Sequence, residues 1–343
     1  MIKGNGRNVA KARFPAKRGT GERRRPAIIS LDNSRARING SGGRKKIGVA
    51  LSCGGAKGLA HVGVIGVLEE LGIKPDFIAG SSMGAYVAAL WAKGYNSKEM
   101  GRMAHEYQGM RGVLSLMDLS FWPLRGLLRG RRIEKGLRKR LDGAHFEDLK
   151  FPLLVPGTDM DSLETVWFEK GDVASAVRAS CSLPGIFAPK KIGGSSFVDG
   201  GIADPLPVEK LREMGADVII ASNILVPPDA RKELGERSRK RRRLFAKRRP
   251  IMNFLHRAFN PFSFGNAPQV LDRCVQIGQA RKLAESMGQA DVIINAYSFY
   301  TRWFEFYKPG RFLALGRRAA LTKLPALLAS TETENPTLTN QAR

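Results

Sequence analysis

The sequence predicts an α/β protein with a mostly parallel central sheet and helices on both faces, in three layers. Two strand–turn–helix units follow each other at residues 46–72 and 76–94. Units in series of this kind are joined by right-handed crossovers, so their strands lie parallel. Four later apolar runs suit strands that are buried on both faces; they span residues 152–160, 196–201, 216–224 and 290–298.

Each of the two units contains a short apolar strand, a glycine-rich turn and a helix. Residues 46–51 are apolar and partly β-branched, and the helix of this unit should end at Gly72. In the second unit a strand over residues 77–79 meets the turn GSSMG, and an Ala-rich helix should end near Gly94. Both turns therefore follow strand ends.

The chain is long enough for one large α/β domain with flanking segments, since it has 343 residues and 43% hydrophobic content. We predict this domain over residues 46–330. Residues 1–45 are rich in Gly, Arg and Asn and have almost no apolar periodicity, which predicts a disordered basic arm. A basic insertion interrupts the domain at about residues 228–250, and residues 331–343 should form a flexible tail.

The formal net charge of +26 is concentrated in these two basic segments. Residues 1–46 carry a net charge of +12 and residues 231–249 a net charge of +9, so the remainder is only mildly basic. Cationic segments of this kind are attracted to anionic membrane surfaces. They also suit the phosphates of nucleic acids, although the sequence has no groove-reading or base-stacking motif.

The cysteines and the hydropathy pattern indicate the compartment. Cys53, Cys181 and Cys274 lie far apart and form no C-x-x-C pair, so neither a zinc site nor a disulfide framework is predicted. No apolar run reaches the roughly 18 residues that a membrane span needs, and the N-terminus lacks the apolar core of a secretory signal. We expect a cytoplasmic protein that docks peripherally on the inner membrane surface.

A candidate nucleophile lies in the second turn, where Gly80, Ser82 and Gly84 have the G-x-S-x-G spacing. A serine at a sharp strand-to-helix turn holds its Oγ at the carboxyl end of the sheet, near the positive end of the next helix. The alternative is a glycine-rich turn in which Ser82 only caps the helix. Ser81 does not fit the spacing and is the weaker candidate.

The first turn is suited to stabilising an oxyanion. Gly54, Gly55, Lys57 and Gly58 follow the first strand, and glycines let backbone N–H groups turn toward a ligand. A phosphate loop is excluded, because no Ser or Thr follows Lys57. A dinucleotide-binding turn is also excluded, because Cys53 stands where the first glycine of G-x-G-x-x-G would fall.

A serine nucleophile needs a base, and the chain has four histidines: His61, His105, His145 and His256. None lies in a short loop after a late strand, the position of the histidine in α/β-hydrolases. We expect structural or surface roles for them and keep His256 as the alternative base. Asp199 lies at a predicted strand end before two glycines, which exposes a carboxylate at a tight turn. Asp204 can be a loop carboxylate without a role.

Four motifs occur in order along the chain: GGAKG, GSSMG, ASCSLPGIFAPKKI and DGGIADPLP. Together they resemble the patatin-like phospholipase family from about residue 47 to 225. A looser resemblance extends to residue 328, where FEFYKPGRFLALGRRAALTKLPALL is similar to the terminal helix of bacterial members.

The resemblance implies a lipid acyl hydrolase that cleaves carboxylic esters of phospholipids or related lipids with no metal or cofactor. It implies Ser82 as nucleophile and Asp199 as base, so that no histidine is needed. The glycines that flank these motifs are Gly80, Gly84 and Gly200, and the implied oxyanion hole is Gly54, Gly55, Lys57 and Gly58. Cys53 departs from the family pattern, in which a glycine is usual.

Two stretches are candidates for lipid contact. Residues 112–141 contain an Arg-rich helix preceded by the apolar side chains Leu114, Leu116, Phe121, Trp122, Leu127 and Leu128. This pattern predicts either a lid or interfacial helix, or a helix packed on the sheet. Residues 250–264 interleave four phenylalanines with Arg257 and His256, as an interfacial segment or a packed loop would. The alternative function is a basic nucleic-acid- or membrane-associated protein on a weakly active or inactive hydrolase scaffold.

Overall fold

The computed structural model describes residues 44–120, 126–227, 230, 267–299, 301 and 304–333. Over these residues the chain forms an eight-stranded mixed sheet with helices, which confirms the predicted α/β class. The strands are β1 Ile47–Leu51, β2 Phe77–Gly80, β3 Leu153–Asp159, β4 Thr165–Phe168, β5 Lys190–Ile192, β6 Ser195–Asp199, β7 Val218–Asn223 and β8 Val292–Asn295.

The helices occupy the connections between these strands and the end of the described chain. They are α1 Ala60–Glu70, α2 Met83–Lys93, α3 Ser97–Glu106, α4 Gly109–Ser115, α5 Arg131–Arg140, α6 Val173–Ser180, α7 Val208–Glu213, α8 Ala267–Gln289 and α9 Pro309–Thr333. Short 3-10 turns precede α1, over Gly55–Leu59, and follow β6, over Gly200–Ile202.

The strand order is β5-β6-β3-β2-β1-β7-β8, with β4 also paired to β3. The pairs among β3, β2, β1, β7 and β8 are parallel, whereas β4, β5 and β6 pair antiparallel. All four late strands predicted from apolar runs are present. The sequence missed β4 and β5, because both are short and lie half-exposed or exposed at the antiparallel end of the sheet.

Apolar side chains pack on both faces of the sheet. Along β1, Val49 and Leu51 face a large core that contains α1, α2, α6 and α9, whereas Ala50 faces a smaller core with α7 and α8. Successive side chains of a strand point to opposite faces, so a continuous apolar run supplies both cores. This is the three-layer arrangement that the buried strands predicted.

The Arg-rich helix α5 is packed rather than free. Leu137 and Leu141 are 1% and 0% exposed and belong to the large core, and Ile133 is half-buried. The packed alternative therefore describes residues 131–141. Before this helix, Leu114 and Leu119 are exposed, while residues 121–125, with Phe121 and Trp122, lie outside the described residues.

Several predicted segments also fall outside the described residues. They are the basic arm up to residue 43, most of the basic insertion, the Phe-rich stretch with His256, and the tail from residue 334. Helix α9 continues to Thr333, into the segment assigned to the tail. The three cysteines are free thiols. Within the described ranges, no helix is long and apolar enough to cross a membrane.

Helices α1 and α9 approach each other closely through two glycines. A Cβ added to Gly63 would overlap the Leu313 carbonyl oxygen and lie 2.6 Å from the Arg317 nitrogen. A Cβ added to Gly316 would overlap the Ala60 carbonyl oxygen. Contacts below 3 Å between carbon and backbone atoms force the helices apart, so only glycine allows this packing.

We expect Gly63→Ala and Gly316→Ala to destabilise the protein. In an open helix position the same change stabilises by up to about 1 kcal/mol, whereas overpacking costs about 1–3 kcal/mol. Thermal unfolding followed by circular dichroism measures the difference. Gly278→Ala in α8 is the control, because its Cβ meets no atom within 4 Å and should not lower the melting temperature. A melting temperature of Gly63→Ala equal to that of Gly278→Ala would contradict the prediction.

Candidate active site

Ser82 lies at the sharp turn between β2 and α2. Its backbone has φ 53° and ψ −121°, a conformation that a residue with a Cβ rarely adopts. The turn is held by its neighbours, since the Ser82 N–H donates to Ser180 Oγ at 3.0 Å and the Tyr86 N–H donates to the Ser82 carbonyl at 3.1 Å. The strained backbone presents the Ser82 side chain beyond the strand end.

The two glycines of the G-x-S-x-G turn are required by close backbone approaches. A Cβ on Gly80 would lie 2.5 Å from the Gly84 carbonyl oxygen, and a Cβ on Gly84 would lie 2.6 Å from the Ser52 carbonyl oxygen. Both glycines have ordinary backbone angles, so their role is to make space. The spacing seen in the sequence therefore reflects how tightly the second turn packs on the end of β1.

Asp199 ends β6 and meets Ser82 directly. Ser82 Oγ donates a hydrogen bond of 2.6 Å to Asp199 Oδ2, and both residues are buried, with exposures of 9% and 4%. The other carboxylate oxygen accepts the Gly201 N–H at 2.8 Å. The structure thus brings together the two residues that the sequence selected from separate motifs.

The two glycines after Asp199 are also required by close contacts. A Cβ on Gly200 would overlap the Pro156 carbonyl oxygen of β3, and a Cβ on Gly201 would lie 2.6 Å from Cys53 Sγ. The Asp199 backbone is fixed as well, because its N–H donates to the Ser182 carbonyl at 3.0 Å. The carboxylate is therefore aimed by packing rather than by a flexible loop.

Burial changes the acidity of this carboxyl group. Desolvation raises the pKa of Asp199 to about 6, while the hydrogen bonds from Ser82 and Gly201 and the positive charge of Arg178 act in the opposite direction. The carboxylate is ionised above that pH and is then a stronger base than an exposed aspartate. The arrangement can accept a proton from the serine hydroxyl.

Sequence reasoning did not assign Arg178, which is 3% exposed and lies one helix turn before Ser182. Its guanidinium donates to Ser182 Oγ at 2.6 Å and to the carbonyls of Arg129 and Ala188. These bonds fix the segment whose backbone holds Asp199. The ASCSLPG motif was the available signal, since it follows Arg178 directly and contains both Ser180 and Ser182.

The turn after β1 lies across the same pocket. Gly54 and Gly55 have φ angles of 155° and 59°, which favour glycine, and with Lys57 they line the pocket that contains Ser82. Among the described residues, no acceptor takes the N–H of Gly54 or Gly55. Because both glycines line the pocket, their N–H groups are candidate donors to a ligand there.

Two other residues of this turn, Cys53 and Gly58, make contacts inside the protein. The Cys53 N–H donates to the Pro205 carbonyl at 2.9 Å, so it does not face the pocket as a donor. Gly58 is buried and provides space, because a Cβ there would lie 2.7 Å from the Met83 Cβ. Of the predicted oxyanion residues, Gly54, Gly55 and Lys57 line the pocket, and Gly58 packs against Met83.

Cys53 itself is 3% exposed and belongs to a small buried cluster. Gln279 of α8 places its Nε2 at 3.5 Å from Cys53 Sγ and donates at 2.8 Å to the Gly201 carbonyl. Burial, followed by the charges of Asp199 and Asp204, raises the pKa of the Cys53 thiol well above its usual value. Gln279 thus links the first turn to the turn after Asp199, and nothing in the sequence pattern singled it out.

The described histidines make contacts elsewhere. His61 is 0% exposed, with Nδ1 at 2.8 Å from Ser222 Oγ and Nε2 at 2.8 Å from the Ser52 carbonyl. Burial lowers its pKa to about 4, so the ring is neutral and ties α1 to the ends of β1 and β7. His105 Nδ1 is bonded to the Gly101 carbonyl. His145 precedes a short turn whose Asp148 accepts its N–H.

The structure also shows where the two weaker candidates, Ser81 and Asp204, lie. Ser81 is buried, and within the described chain its Oγ has no hydrogen-bond partner. Asp204 is 4% exposed, accepts the Leu206 N–H at 3.2 Å, and is absent from the pocket lining. Burial raises its pKa to about 6 as well. Asp199 and Asp204 therefore differ in position rather than in acidity.

The pocket around Ser82 has a volume of about 240 Å³. Leu183, Phe187 and Leu225 form apolar walls beside the polar groups. A few polar groups in a mostly apolar pocket are typical of a small-molecule site. In the described part of the chain, no three His, Cys, Asp or Glu side chains are grouped to hold a metal ion.

The region that contains this site is similar to known proteins. Residues 49–212 match the family model for patatin-like phospholipase. An uncharacterized NTE family protein of Mycobacterium tuberculosis is 37% identical over 190 residues, which cover 55% of this chain and 51% of that protein. Lysophospholipase nte1 of Aspergillus fumigatus is 34% identical over 182 residues, which cover 52% of this chain and 12% of the fungal protein.

The chain thus spans about half the length of the mycobacterial relatives and a smaller share of the fungal ones. Among solved structures, VipD from Legionella pneumophila aligns with 84% of this chain and 67% of its own, at 18% identity and a TM-score of 0.43. The matched residues 49–212 include Ser82, Asp199 and the Gly54–Gly55 turn. Residues 49–212 therefore form a patatin-like phospholipase domain.

Proposed function

We propose that this protein is a lipid acyl hydrolase that cleaves carboxylic esters with Ser82 as nucleophile and Asp199 as base. The observation that carries the proposal is the 2.6 Å hydrogen bond from Ser82 Oγ to Asp199 Oδ2 inside a pocket with two candidate backbone donors. The family of the domain and the lysophospholipase name of the fungal relative support a lipid ester as substrate. The catalytic domain is proposed to span residues 46–330.

In the first step Ser82 Oγ attacks the ester carbonyl carbon as Asp199 Oδ2 takes its proton. The carbonyl oxygen becomes an oxyanion, and the N–H groups of Gly54 and Gly55 are the donors proposed to stabilise it. Lys57 lies in the same pocket and adds positive charge near that oxygen. Collapse of the intermediate returns the proton to the departing alcohol and leaves the acyl group on Ser82.

In the second step water takes the place of the alcohol. Asp199 accepts a proton from the water, whose oxygen attacks the acyl carbon, and the same oxyanion donors are used again. Release of the carboxylic acid restores the Ser82 hydroxyl, with the proton returned from Asp199. A single carboxylate therefore serves as base and then as acid in both steps.

The raised pKa of Asp199 helps to explain how the pair can work without a histidine. A base is most useful when its pKa is near the working pH, and about 6 is closer to neutrality than an exposed aspartate. The value is still far below that of a serine hydroxyl. Most of the rate must therefore come from positioning and from the oxyanion donors.

The location of the enzyme is proposed from its charge. Most of the net charge of +26 lies in residues 1–46 and 231–249, and anionic lipids attract each nearby Lys or Arg with about 1 kcal/mol. We propose that these segments hold the enzyme on anionic membrane surfaces, where its lipid substrate resides. Nucleic-acid binding is the competing outcome of the test below.

The first prediction of this proposal compares two buried aspartates. Asp199→Asn and Ser82→Ala should lower ester hydrolysis by about a thousandfold or more, the usual cost of losing a nucleophile or its base. The measurement is p-nitrophenyl butyrate hydrolysis, with folding checked by circular dichroism. Asp204→Asn is the matched control, because this carboxyl is equally buried with the same raised pKa but lies outside the pocket.

An equal loss of ester hydrolysis in Asp199→Asn and Asp204→Asn would contradict the assignment of Asp199 as base. Both substitutions would then lower activity by disturbing the fold. Full activity in Asp199→Asn together with an inactive His256→Ala would favour a histidine base.

The second prediction concerns pH. Because only ionised Asp199 can take the serine proton, kcat/KM should rise with pH, reach half its plateau near pH 6 and stay level above it. Below that pH the ionised fraction, and with it kcat/KM, should fall about tenfold per pH unit. A pH series with a soluble ester measures this. A rate that is constant from pH 8 to about pH 4.5 would show that no group with the raised pKa of Asp199 is needed.

The third prediction tests membrane docking by co-sedimentation with vesicles of anionic or neutral lipid. The full chain should bind anionic vesicles more tightly than a chain starting at Lys46 or one lacking residues 231–249. Binding should weaken as the Debye length falls from about 10 Å at 0.1 M salt to about 3 Å at 1 M. Equal binding of all three proteins to both lipids would refute docking through these segments. Tighter retention on RNA would favour the nucleic-acid alternative.

A further inference from the structure

A second, separate cavity lies next to the candidate active site. It has a volume of about 130 Å³, and no part of the proposed chemistry uses it. Helices α1, α2, α3 and α5 and the segment before α9 line it, with apolar walls formed by Val62, Val87, Leu90, Met100, Met103 and Phe306. A mostly apolar cavity of this size favours apolar molecules.

The two cavities share a wall of two side chains, Met83 and Cys181. Met83 follows Ser82 directly, and Cys181 lies close enough to Ser82 and Asp199 for both to influence its pKa. Burial raises the pKa of Cys181 to about 12, so its thiol is neutral. Methionine is unbranched and flexible, so rotation of Met83 can open the wall beside the reacting serine.

The polar groups that border this second cavity are already satisfied. Arg140 donates to Glu106 at 2.7 Å and to the Tyr107 hydroxyl at 3.0 Å. Burial raises the pKa of Tyr86 to about 12, so its phenol is neutral. A charged or strongly polar ligand would have to compete with these bonds, whereas a hydrocarbon would not.

The far side of the cavity faces a surface groove. Tyr107, Leu116 and Gly136 line both, and the groove also has the cationic side chains of Arg132, Lys135, Arg138 and Lys139. A Cβ placed on Gly136 would meet no atom within 4 Å. The glycine therefore leaves a gap in α5 between the apolar cavity and the open groove.

We propose that the second cavity binds the acyl chain of the substrate, and that Gly136 allows long chains to pass through it toward the basic groove. This inference rests on the proposed function, because the chain must be attached to the carbonyl that Ser82 attacks. A cavity of about 150 Å³ takes up benzene, so 130 Å³ holds about six carbon atoms. Longer chains need an exit, and Gly136 determines whether they have one.

The test places larger side chains at residue 136 and compares esters with long and short acyl chains. Gly136→Ala, Gly136→Leu and Gly136→Phe should lower the ratio of p-nitrophenyl palmitate to p-nitrophenyl butyrate hydrolysis in that order. For the Phe variant we expect a decrease of about tenfold or more, which is about 1.4 kcal/mol of lost binding to the long chain. Gly288→Phe is the matched control, since Gly288 is an exposed helical glycine whose Cβ also meets no atom within 4 Å.

An unchanged palmitate-to-butyrate ratio across the three Gly136 variants would overturn the proposal. The proposal would also be overturned if Gly288→Phe lowered the palmitate-to-butyrate ratio as much as Gly136→Phe. Melting temperatures for each variant separate these results from unfolding, and the Leu variant serves if the Phe variant does not fold.

Binding without hydrolysis separates this inference from the proposed function. Labelled palmitate and butyrate are bound to full-length Ser82→Ala protein by equilibrium dialysis. We expect palmitate to bind tighter than butyrate, and adding Gly136→Phe should weaken palmitate binding about tenfold. This binding result, together with no esterase activity in the protein that retains Ser82, would support the cavity and reject the chemistry. If the protein that retains Ser82 is an active esterase, and Gly136→Phe leaves palmitate binding to the Ser82→Ala protein unchanged, the acyl-chain cavity alone is rejected.

Discussion

The hydrogen bond between Ser82 and Asp199 is the interaction on which the candidate site depends. It joins the ends of β2 and β6, which are not neighbours, since β3 lies between them in the sheet. β3 pairs parallel with β2 through its first residues and antiparallel with β6 through its last, so it sets the positions of both. The antiparallel end of the sheet, which looks irregular in an otherwise parallel fold, is what delivers the carboxylate to the serine.

Holding this pair in place is unfavourable for the folded protein. Ser82 has strained backbone angles, and Asp199 is buried at a position where desolvation disfavours its charge. The surrounding structure compensates with bonds that fix each partner, such as Ser180 to the Ser82 amide and Gly201 to the carboxylate. Strain and burial at one site, supported by a well-packed scaffold, are typical of functional sites rather than structural ones.

Two cavities meet at the turn that contains Ser82 and Met83. Gly54, Gly55 and Asp199 line one cavity, while Met83 and Cys181 line both that cavity and the apolar one. Gly58 makes room for Met83 and so connects the first turn with this boundary. A change in the glycine-rich turn can thus alter the walls of both cavities.

The sequence by itself determined the α/β class, the parallel strands and the residues of the pair, because strand periodicity and the glycines around Ser82 and Asp199 are local signals. It did not determine β4 and β5, whose short, half-exposed or exposed strands carry little periodicity. The roles of Arg178 and Gln279 and the cavity behind Met83 were decided only by the tertiary structure. They depend on which distant segments pack together, and the spacing of residues along the chain does not encode those distances.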